Sequence, residues 1–358
     1  MDIKDINPFG HTVESEFPHA IETAPNWTEH YFFQGYDFEN EYGICIHMGR
    51  LVADPQIWRP TIQVYLPNQE LLIAKLHGRD GHAFGPGASP LKISCIEPFR
   101  LWSVEFDGVG QRVKREELMQ SVVTDAPMEP IRFHILFEAA GPIYGRKSDI
   151  PDGRSVGRFH SEQICRLRGH FHHDGKIILM RGYGVRDHSS GPRDYGPVLG
   201  DCWFQTQYEN GDAIMVQIVR FEQAEVKSSY LYCAQTGKIE LLEIVEHPPV
   251  PDVNTPKGSV NRDPLQDPNF KNYRVVVKRS NGEVLSINGE LKHAHAITYL
   301  SPMEELNGTS PDHMDGLQMC ECPTTLIRSD GVRGWGLYER TFRVGALTAS
   351  RQTIPQNT

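Results

Sequence analysis

The sequence predicts an all-β fold of antiparallel barrels or strongly bent sandwiches with few short helices. Hydrophobic residues alternate with a period of two along most of the chain, which is typical of strands with one buried face. Glycine-containing turn signals separate these stretches. The clearest helix pattern is short, at residues 114–120. A chain of 358 residues is long for one core, so we expect two halves.

The strands are predicted where β-branched, aromatic and aliphatic residues cluster between turns. We expect strands at 42–48, 61–66, 71–76, 101–106, 131–137, 177–180, 213–219, 230–233 and 273–277. Two-residue turns at 67–68, 107–108, 174–175, 210–211, 236–237 and 281–282 would connect or end them. Several antiparallel hairpins follow from this pattern.

Glycine- and proline-rich stretches suggest the division of the chain. We predict an N-terminal arm at 1–24, a first β-barrel half at 25–145, a linker at 146–157, a second β-barrel half at 158–345 and a C-terminal tail at 346–358. A proline-rich loop at 247–267 interrupts the second half. Loops of this length are often lids or binding loops, and they are also often disordered.

Composition excludes several classes of protein. The net charge of −10 argues against nucleic acid as a partner, because nucleic-acid proteins carry basic patches. No apolar run is long enough for a membrane span, and no signal-peptide pattern opens the chain. The seven cysteines are odd in number and scattered, which predicts reduced thiols in a cytoplasmic protein. A homodimer is compatible with the sequence.

Reactive residue types are densest in the segment 182–196, which follows the predicted strand 177–180. Its glycines allow the backbone to approach a ligand closely. A packed core seldom holds Arg, Asp and His together unless they are paired. We therefore predict a reactive site here, with the alternative that its Arg and Asp residues form buried ion pairs that join strands.

His188 is the predicted general acid or base of this site, because burial and neighbouring charges move a histidine pKa readily. Asp194 would orient His188 or act as its partner carboxylate, and Arg193 and Arg186 would keep carboxylates ionised or stabilise a developing oxyanion. The predicted catalytic residues are His188, Asp194, Arg193 and Tyr195. The predicted substrate-binding residues are Tyr183, Arg186, Ser190, Glu162, Gln163 and Trp203. On an extended strand, Arg186 and His188 would face one side and Asp187 the other, so they line one cavity only if the strand bends.

Several motifs carry a family resemblance. Residues 159–163, Arg168-Gly169, Asp174-Gly175 and the run Arg186-Asp187-His188-Ser189, followed by Arg193-Asp194, resemble a bacterial family related to carotenoid 1,2-hydratases, fungal kievitone hydratases and AttH-type proteins. Weaker matches extend over roughly residues 25 to 345. The resemblance implies two consecutive lipocalin-like β-barrels with an apolar cavity. It also implies cofactor-free addition of water to a double bond of a hydrophobic substrate.

The chain departs from this family pattern at two positions. Ser190 and Tyr195 stand where the family usually has tryptophan. A hydroxyl and a phenol in place of two indoles predict a larger, more polar pocket and a different substrate.

Metal binding is a further alternative. His293-Ala294-His295, and likewise His170 with His172, would place two imidazoles on one strand face, as in cupin-type metalloproteins. The nearest following acids, Glu304 and Glu305, lie further along the chain than the cupin motif places its carboxylate. Phosphate-loop, dinucleotide-binding and nucleophile-elbow motifs are absent, so we expect no nucleotide cofactor.

Two main functions remain open at this point. One is a cofactor-independent lyase, either a hydratase or dehydratase or a retro-aldol enzyme, acting on a hydrophobic aromatic or terpenoid small molecule. The other is a lipocalin-like protein that binds an apolar ligand without reacting with it. A cupin-like metal-dependent enzyme is the second alternative.

Overall fold

The computed structural model describes residues 3–147, 158–221, 224–250, 260–300 and 304–347. Two large antiparallel sheets make up nearly all of it, which confirms the all-β prediction. Helices are short: α1 (Ile3–Ile6), α2 (Arg115–Gln120) and α3 (Val344–Leu347), with 3-10 turns at Val13–Glu16 and Pro67–Gln69. Among the described residues, every helix is too short to cross a bilayer.

The first sheet contains eleven strands. They are β1 (Trp27–Asp37), β2 (Tyr42–Leu51), β3 (Asp54–Leu66), β4 (Glu70–Lys75), β5 (Gly87–Ala88), β6 (Leu91–Glu97), β7 (Leu101–Lys114), β8 (Met128–Ala139), β9 (Tyr144–Lys147), β10 (Phe159–His173) and β11 (Lys176–Pro192). Their order is β4-β3-β2-β1-β11-β10-β8-β7-β6-β5, and β9 pairs with β10.

A further pairing between β4 and β7 closes this sheet into a ring. The ring consists of β1, β2, β3, β4, β7, β8, β10 and β11. Barrels of this size have an interior that side chains can fill. Phe33, Ile46, Trp102, Val104 and Phe137 are among the buried residues that pack there.

The second sheet also contains eleven strands. They are β12 (Val198–Tyr208), β13 (Ala213–Phe221), β14 (Glu225–Cys233), β15 (Lys238–Leu241), β16 (Glu243–Glu246), β17 (Asn272–Lys278), β18 (Val284–Leu291), β19 (His295–Leu300), β20 (Glu304–Asn307), β21 (Leu317–Arg328) and β22 (Arg333–Arg343). The order runs β15-β14-β13-β12-β22-β21-β18-β17-β16, while β19 pairs with β20 and β21. Phe204, Tyr273 and Tyr338 lie in its separate core.

The strand pairing places the boundary between the halves later than the sequence predicts. β10 pairs with β8 and β11 pairs with β1, so both belong to the first sheet and not to a second half starting at 158. The chain leaves the first sheet after Pro192, and the preceding Gly191 has a φ of +134°, which favours glycine. A Cβ there would lie 2.5 Å from the backbone nitrogen of Arg158, so the crossing also needs a residue without a side chain.

The predicted strands all fall on observed strands, and the predicted helix is α2. The predicted turn at 107–108 is wrong, because both residues lie inside β7 and pair with β8. The turn at 174–175 connects β10 and β11, with positive φ at Asp174 and Gly175. Local turn chemistry marks a hairpin only where the flanking strands pair with each other.

Three predicted segments fall partly outside the described residues. These are residues 148–157 of the linker, 251–259 of the proline-rich loop and 348–358 of the tail. The N-terminal arm is folded onto the first barrel, where Glu16 is fully buried. All seven cysteines are free thiols, and Cys233 alone among them is half-buried rather than buried.

The outer face of β1–β3 and β11 packs against the second sheet. Phe32, Tyr36, Cys45 and Tyr65 contribute to the apolar part of this contact, together with Trp203. Polar contacts cross it as well. Arg59 donates to Glu305 at 3.2 Å, Thr61 donates to the same carboxylate at 2.8 Å, and Gln63 donates to Asn307 at 3.0 Å.

Candidate active site between the two sheets

A cavity of about 100 Å³ lies between the two sheets. Its walls combine aromatic rings with an unusual number of ionisable groups. They are formed by His30, Tyr31, Phe32, His47, His160, Asp187, Ser189, Arg193, Tyr195, Val198, Asp201, Trp203, Gln217, Val219, Tyr299, Leu317, Met319, Glu339 and Thr341. A concave site with convergent polar groups is the usual form of a small-molecule site.

The wall from the first sheet is set by strand alternation. Asp187 and Ser189 are two residues apart on β11 and line the cavity, while Arg186 and His188 lie on the opposite face. His160 lies on β10, and its Nε2 is 3.9 Å from Oδ2 of Asp187. Both side chains are mostly buried, with 20% and 18% of their surface exposed. They form a loose ion pair at the cavity wall.

The wall from the second sheet is a patch of directly paired residues. Asp201 on β12 is opposite Thr341 on β22, and Trp203 is opposite Glu339. Because these positions alternate by two along both strands, all four side chains share the face that lines the cavity. Two carboxyl groups therefore lie on neighbouring strands in a largely enclosed space.

Burial changes the ionisation of these carboxyls. It raises the pKa of Asp201 well above its usual value, and the nearby charge of Glu339 raises it further. Burial likewise raises the pKa of Glu339 well above the usual range. Oδ1 of Asp201 is buried and has no hydrogen-bond partner among the described residues. Burial therefore favours the protonated form of Asp201, although a hydrogen bond with the backbone of Cys202 acts in the opposite direction.

The His160–Asp187 pair has the opposite character. Burial alone would lower the pKa of His160, but the hydrogen bond and charge of Asp187 outweigh it, so the pKa lies above its usual value. Glu162 on the same face of β10 also favours the charged imidazole, and Arg193 opposes it. The cavity therefore contains a neutral acid and an ion pair, which is the separation of pKa values that acid/base sites use.

Arg193 and Tyr195 reach the cavity from the chain that crosses between the sheets. Nη1 of Arg193 donates to the Tyr195 hydroxyl at 3.2 Å, and Nη2 donates to the Ser189 hydroxyl. The Tyr195 ring lies 5.6 Å from the ring of Tyr299. Burial raises the pKa of Tyr195, so its hydroxyl keeps its proton. Both predicted residues can present donors to a ligand oxygen.

His188 lies elsewhere, inside the first barrel. Its Nδ1 donates to the carbonyl oxygen of Ser15 at 2.8 Å, and its Nε2 is 2.9 Å from Oε1 of Glu29. The Tyr31 ring stacks on it at 3.9 Å. Burial would raise the pKa of Glu29, but the hydrogen bond and charge of His188 outweigh burial and lower it. Since both ring nitrogens are engaged and the ring is fully buried, the predicted acid/base residue occupies a structural pair.

Asp194 and Arg186 also differ from the prediction. Asp194 is exposed and accepts from the backbone nitrogen of Gly196 at 2.9 Å, so it does not orient His188. Arg186 faces the first barrel, where it donates to Glu16 at 2.8 Å and to Gln163 at 2.8 Å. Gln163 in turn donates to the carbonyl oxygen of Phe99 at 2.9 Å. These residues hold the N-terminal arm in the barrel.

The remaining predicted residues are divided between sites. Trp203 lines the cavity. Glu162 accepts from Gln205 of the second sheet at 2.6 Å. Tyr183 stacks on Trp335 at 4.4 Å, away from the residues that line the cavity. Ser190 lies opposite Glu29 on β1, on the barrel side of β11. Of the two positions where the family has tryptophan, Tyr195 alone changes the cavity wall.

The predicted site residues do not include six acidic or histidine residues of the cavity, which are His30, His47, His160, Asp187, Asp201 and Glu339. Strand alternation would have separated Asp187 from His188, but it could not tell which face of β11 the second sheet covers. Asp201 and Glu339 lie in ordinary alternating strands that are far apart in sequence. The two histidines predicted as a metal pair do not form one group. His295 lies close to Cys45 and His47, and His293 is not part of that group.

These features define a class of protein with two large antiparallel sheets and a polar cavity between them. The chain belongs to the family described as a domain of unknown function, DUF7064, whose model matches residues 12–260. Among curated proteins no sequence matches.

Solved structures extend the likeness to the whole fold. An AttH-type protein of Nitrosomonas europaea has a TM-score of 0.54 at 12% identity, over 91% of this chain and 97% of that one. CghA with bound Sch210972 has a TM-score of 0.54 at 14% identity, over 92% and 95%. Kievitone hydratase of Nectria haematococca has a TM-score of 0.47 at 12% identity, over 91% and 93%. The AttH-type structure, with its TM-score of 0.54, confirms the resemblance inferred from the sequence at the level of the fold.

Proposed function

We propose that this chain is a lyase-type enzyme that performs acid/base chemistry on a small molecule in the cavity between the sheets. The observation that carries the proposal is the arrangement of Asp201, a carboxyl kept neutral by burial, in the same cavity as the His160–Asp187 ion pair. A buried carboxyl whose pKa is raised and a nearby imidazole–carboxylate pair supply a proton donor and a proton acceptor, which general acid/base catalysis requires.

Each group has one role in the proposed reaction. Asp201 donates its proton to one end of the reacting double bond. Water attacks the other end, and its proton passes to the carboxylate of Asp187, whose Oδ2 is 3.9 Å from Nε2 of His160. One C–H and one C–O bond form, the double bond is lost, and exchange with solvent returns both carboxyls to their starting states. Dehydration is the reverse, and retro-aldol cleavage needs the same donor and acceptor.

The walls indicate the kind of substrate. Phe32, Trp203 and Tyr299 offer apolar surface, while Arg193 and Tyr195 offer donors. The cavity of about 100 Å³ is smaller than the roughly 300–1,000 Å³ of common ligand pockets. We therefore propose a compact unsaturated or hydroxylated molecule that carries at least one oxygen. The fold accommodates a bound ligand in CghA, whose structure contains Sch210972.

A compound screen tests the proposal and identifies the substrate at the same time. The full-length protein is screened by thermal shift against small hydroxylated and unsaturated aromatic compounds. Compounds that bind are then incubated with the protein and analysed by mass spectrometry for gain or loss of one water, or for cleavage. We expect at least one to be converted, with oxygen-18 from labelled water in a hydrated product.

Variants assign the chemistry to the cavity. Asp201→Asn should keep binding but reduce turnover by about 100-fold or more, because it removes the transferable proton. Asp187→Asn should also keep binding and reduce turnover by about 100-fold or more, because it removes the carboxylate that accepts the proton of water. His134→Gln, on the outer surface of the first barrel, is the matched control and should leave turnover unchanged. Conversion by Asp201→Asn at the wild-type rate would overturn the proposal, and tight binding with no conversion of any compound would favour a binding protein.

A further inference from the structure

A second group of reactive side chains lies in the contact between the sheets. Cys45 and His47 are two residues apart on β2 and share one face. His295 begins β19 in the second sheet and meets them there. One donor atom from each of the three residues lies within 4.8 Å of the other two. All three side chains are buried, with exposures of 0%, 7% and 0%.

Two nitrogen atoms in this group lack hydrogen-bond partners. The Nε2 atoms of His47 and His295 are buried and make no hydrogen bond with the described residues. Their Nδ1 atoms are engaged by tyrosine hydroxyls, Tyr299 at 3.1 Å for His47 and Tyr65 at 2.8 Å for His295. A histidine held through one nitrogen, with the other free, is the usual arrangement of a metal ligand.

The hydrogen bonds around Tyr65 fix the tautomer of His295. The Tyr65 hydroxyl has one proton, which it donates to the carbonyl oxygen of Glu321 at 3.1 Å. It therefore accepts from Nδ1 of His295, so Nδ1 carries the proton and Nε2 carries a lone pair. Burying a lone pair without a donor is costly unless a cation binds it.

An acidic neighbour completes the group. Glu321 on β21 lies directly opposite His295, and its Oε1 is 3.5 Å from Nε2 of His47. Neither carboxyl oxygen has a hydrogen-bond partner of normal geometry among the described residues, although Glu339 lies directly opposite on β22 and its carboxyl interacts with that of Glu321. Cysteine, histidine and glutamate side chains are all zinc ligands, and a bound dication would favour the thiolate and carboxylate forms that coordinate it.

We propose that Cys45, His47, His295 and Glu321 bind one Zn²⁺ between the two sheets. In a tetrahedral zinc site the donor atoms lie about 3.3–3.8 Å apart, so the three residues grouped here within 4.8 Å need only small side-chain rotations. The site is independent of the proposed reaction, since Asp201, Asp187 and His160 are not ligands. It is next to the cavity, because His47 also lines the cavity wall.

The test uses the full-length protein stripped of metal. Titration with Zn²⁺ in competition with a chromophoric chelator should show one tight site per chain, with a rise in Tm. Titration with Co²⁺ should give the visible bands of a tetrahedral site and a thiolate-to-cobalt charge-transfer band. A wild-type protein that binds no zinc, or cobalt without the charge-transfer band, would overturn the proposal without any variant.

Substitutions locate the site. Cys45→Ser should remove the charge-transfer band, and His47→Gln or His295→Gln should weaken zinc binding by at least about tenfold, as loss of a ligand requires. Cys165→Ser, at a buried cysteine of β10, and His293→Gln are the matched controls and should bind as the wild type does. Unchanged zinc affinity in all three ligand variants would contradict the assignment. Asp201→Asn should retain zinc, which separates this proposal from the proposed catalysis.

Discussion

His160 and Asp187 approach each other across β10 and β11, with 3.9 Å between Nε2 and Oδ2, at the wall of the cavity between the sheets. β11 thereby presents two different pairs on its two faces. Asp187 meets His160 on the side of the second sheet, and His188 meets Glu29 inside the first barrel at 2.9 Å. Adjacent residues of one strand thus lie in different surroundings, one at the cavity wall and one inside the first barrel.

The first prediction concerns the titration of His160. Asp187→Asn should lower the pKa of His160, because burial then acts without the carboxylate that opposes it. Glu162 and Arg193 also face this ring, with opposite effects, and remain in place. The measurement is an NMR titration of the histidine ring protons, with His160→Gln to assign the signal. Asp174→Asn, at an exposed hairpin position, is the control. An unchanged pKa in Asp187→Asn would show that the pair does not form.

The second prediction concerns stability. Asp201→Asn should stabilise the protein at neutral pH, because an amide resembles the protonated carboxyl that burial favours. The folded pKa of Asp201 lies above its unfolded value, so its ionisation costs stability as the pH rises above the unfolded pKa. Glu339, His160 and Glu162 act on this carboxyl as well. Each pKa unit corresponds to about 1.4 kcal/mol, so we expect Tm to rise by about 2 °C or more.

The increase in stability that Asp201→Asn produces should depend on pH in a defined direction. It should shrink as the pH falls and vanish below the unfolded pKa, where the aspartate is protonated in both states. Thermal unfolding across a pH series measures this. Asp125→Asn, at an exposed position, should show no such trend. A destabilised Asp201→Asn variant at neutral pH would mean that the carboxyl is ionised in the folded protein.

The third prediction concerns the N-terminal arm. Glu16→Gln should destabilise the protein by about 3–5 kcal/mol, because Arg186 would remain buried without its charge partner. Glu16 also accepts from the indole of Trp102 at 3.2 Å and from the backbone of Phe99 at 2.9 Å. Urea unfolding followed by tryptophan fluorescence gives the free energy. The exposed Glu14→Gln is the control, and equal stabilities of the two variants would mean that the arm does not support the barrel.

The fourth prediction separates structure from chemistry at His188. His188→Gln should lower stability by about 1–3 kcal/mol, because Glu29 loses a buried partner. Affinity for compounds that bind the cavity should stay unchanged, since the ring lies inside the first barrel. Thermal unfolding and binding titrations on the same samples test both parts. A His188→Gln variant that loses turnover but keeps its stability would instead indicate that His188 is a catalytic residue.

The candidate site was partly predictable. The sequence indicates that segment 182–196 is rich in reactive groups, and Arg193 and Tyr195 do line the cavity. It could not identify Asp201 or Glu339, because a carboxyl in an alternating strand is usually solvent-exposed. Their burial comes from the second sheet packing against the first, which no local pattern describes.

The sequence by itself determined many of the strands, most of the predicted turns and the all-β class, because side-chain alternation and turn propensities act over a few residues. Tertiary structure decided which strands pair, so that β10 and β11 close the first barrel. It also decided which face of β11 lines the cavity. In addition, it placed Tyr65 in hydrogen-bond contact with His295, which is 230 positions away in the sequence. Alternation defines two faces of a strand, but only long-range pairing and packing choose the surroundings of each.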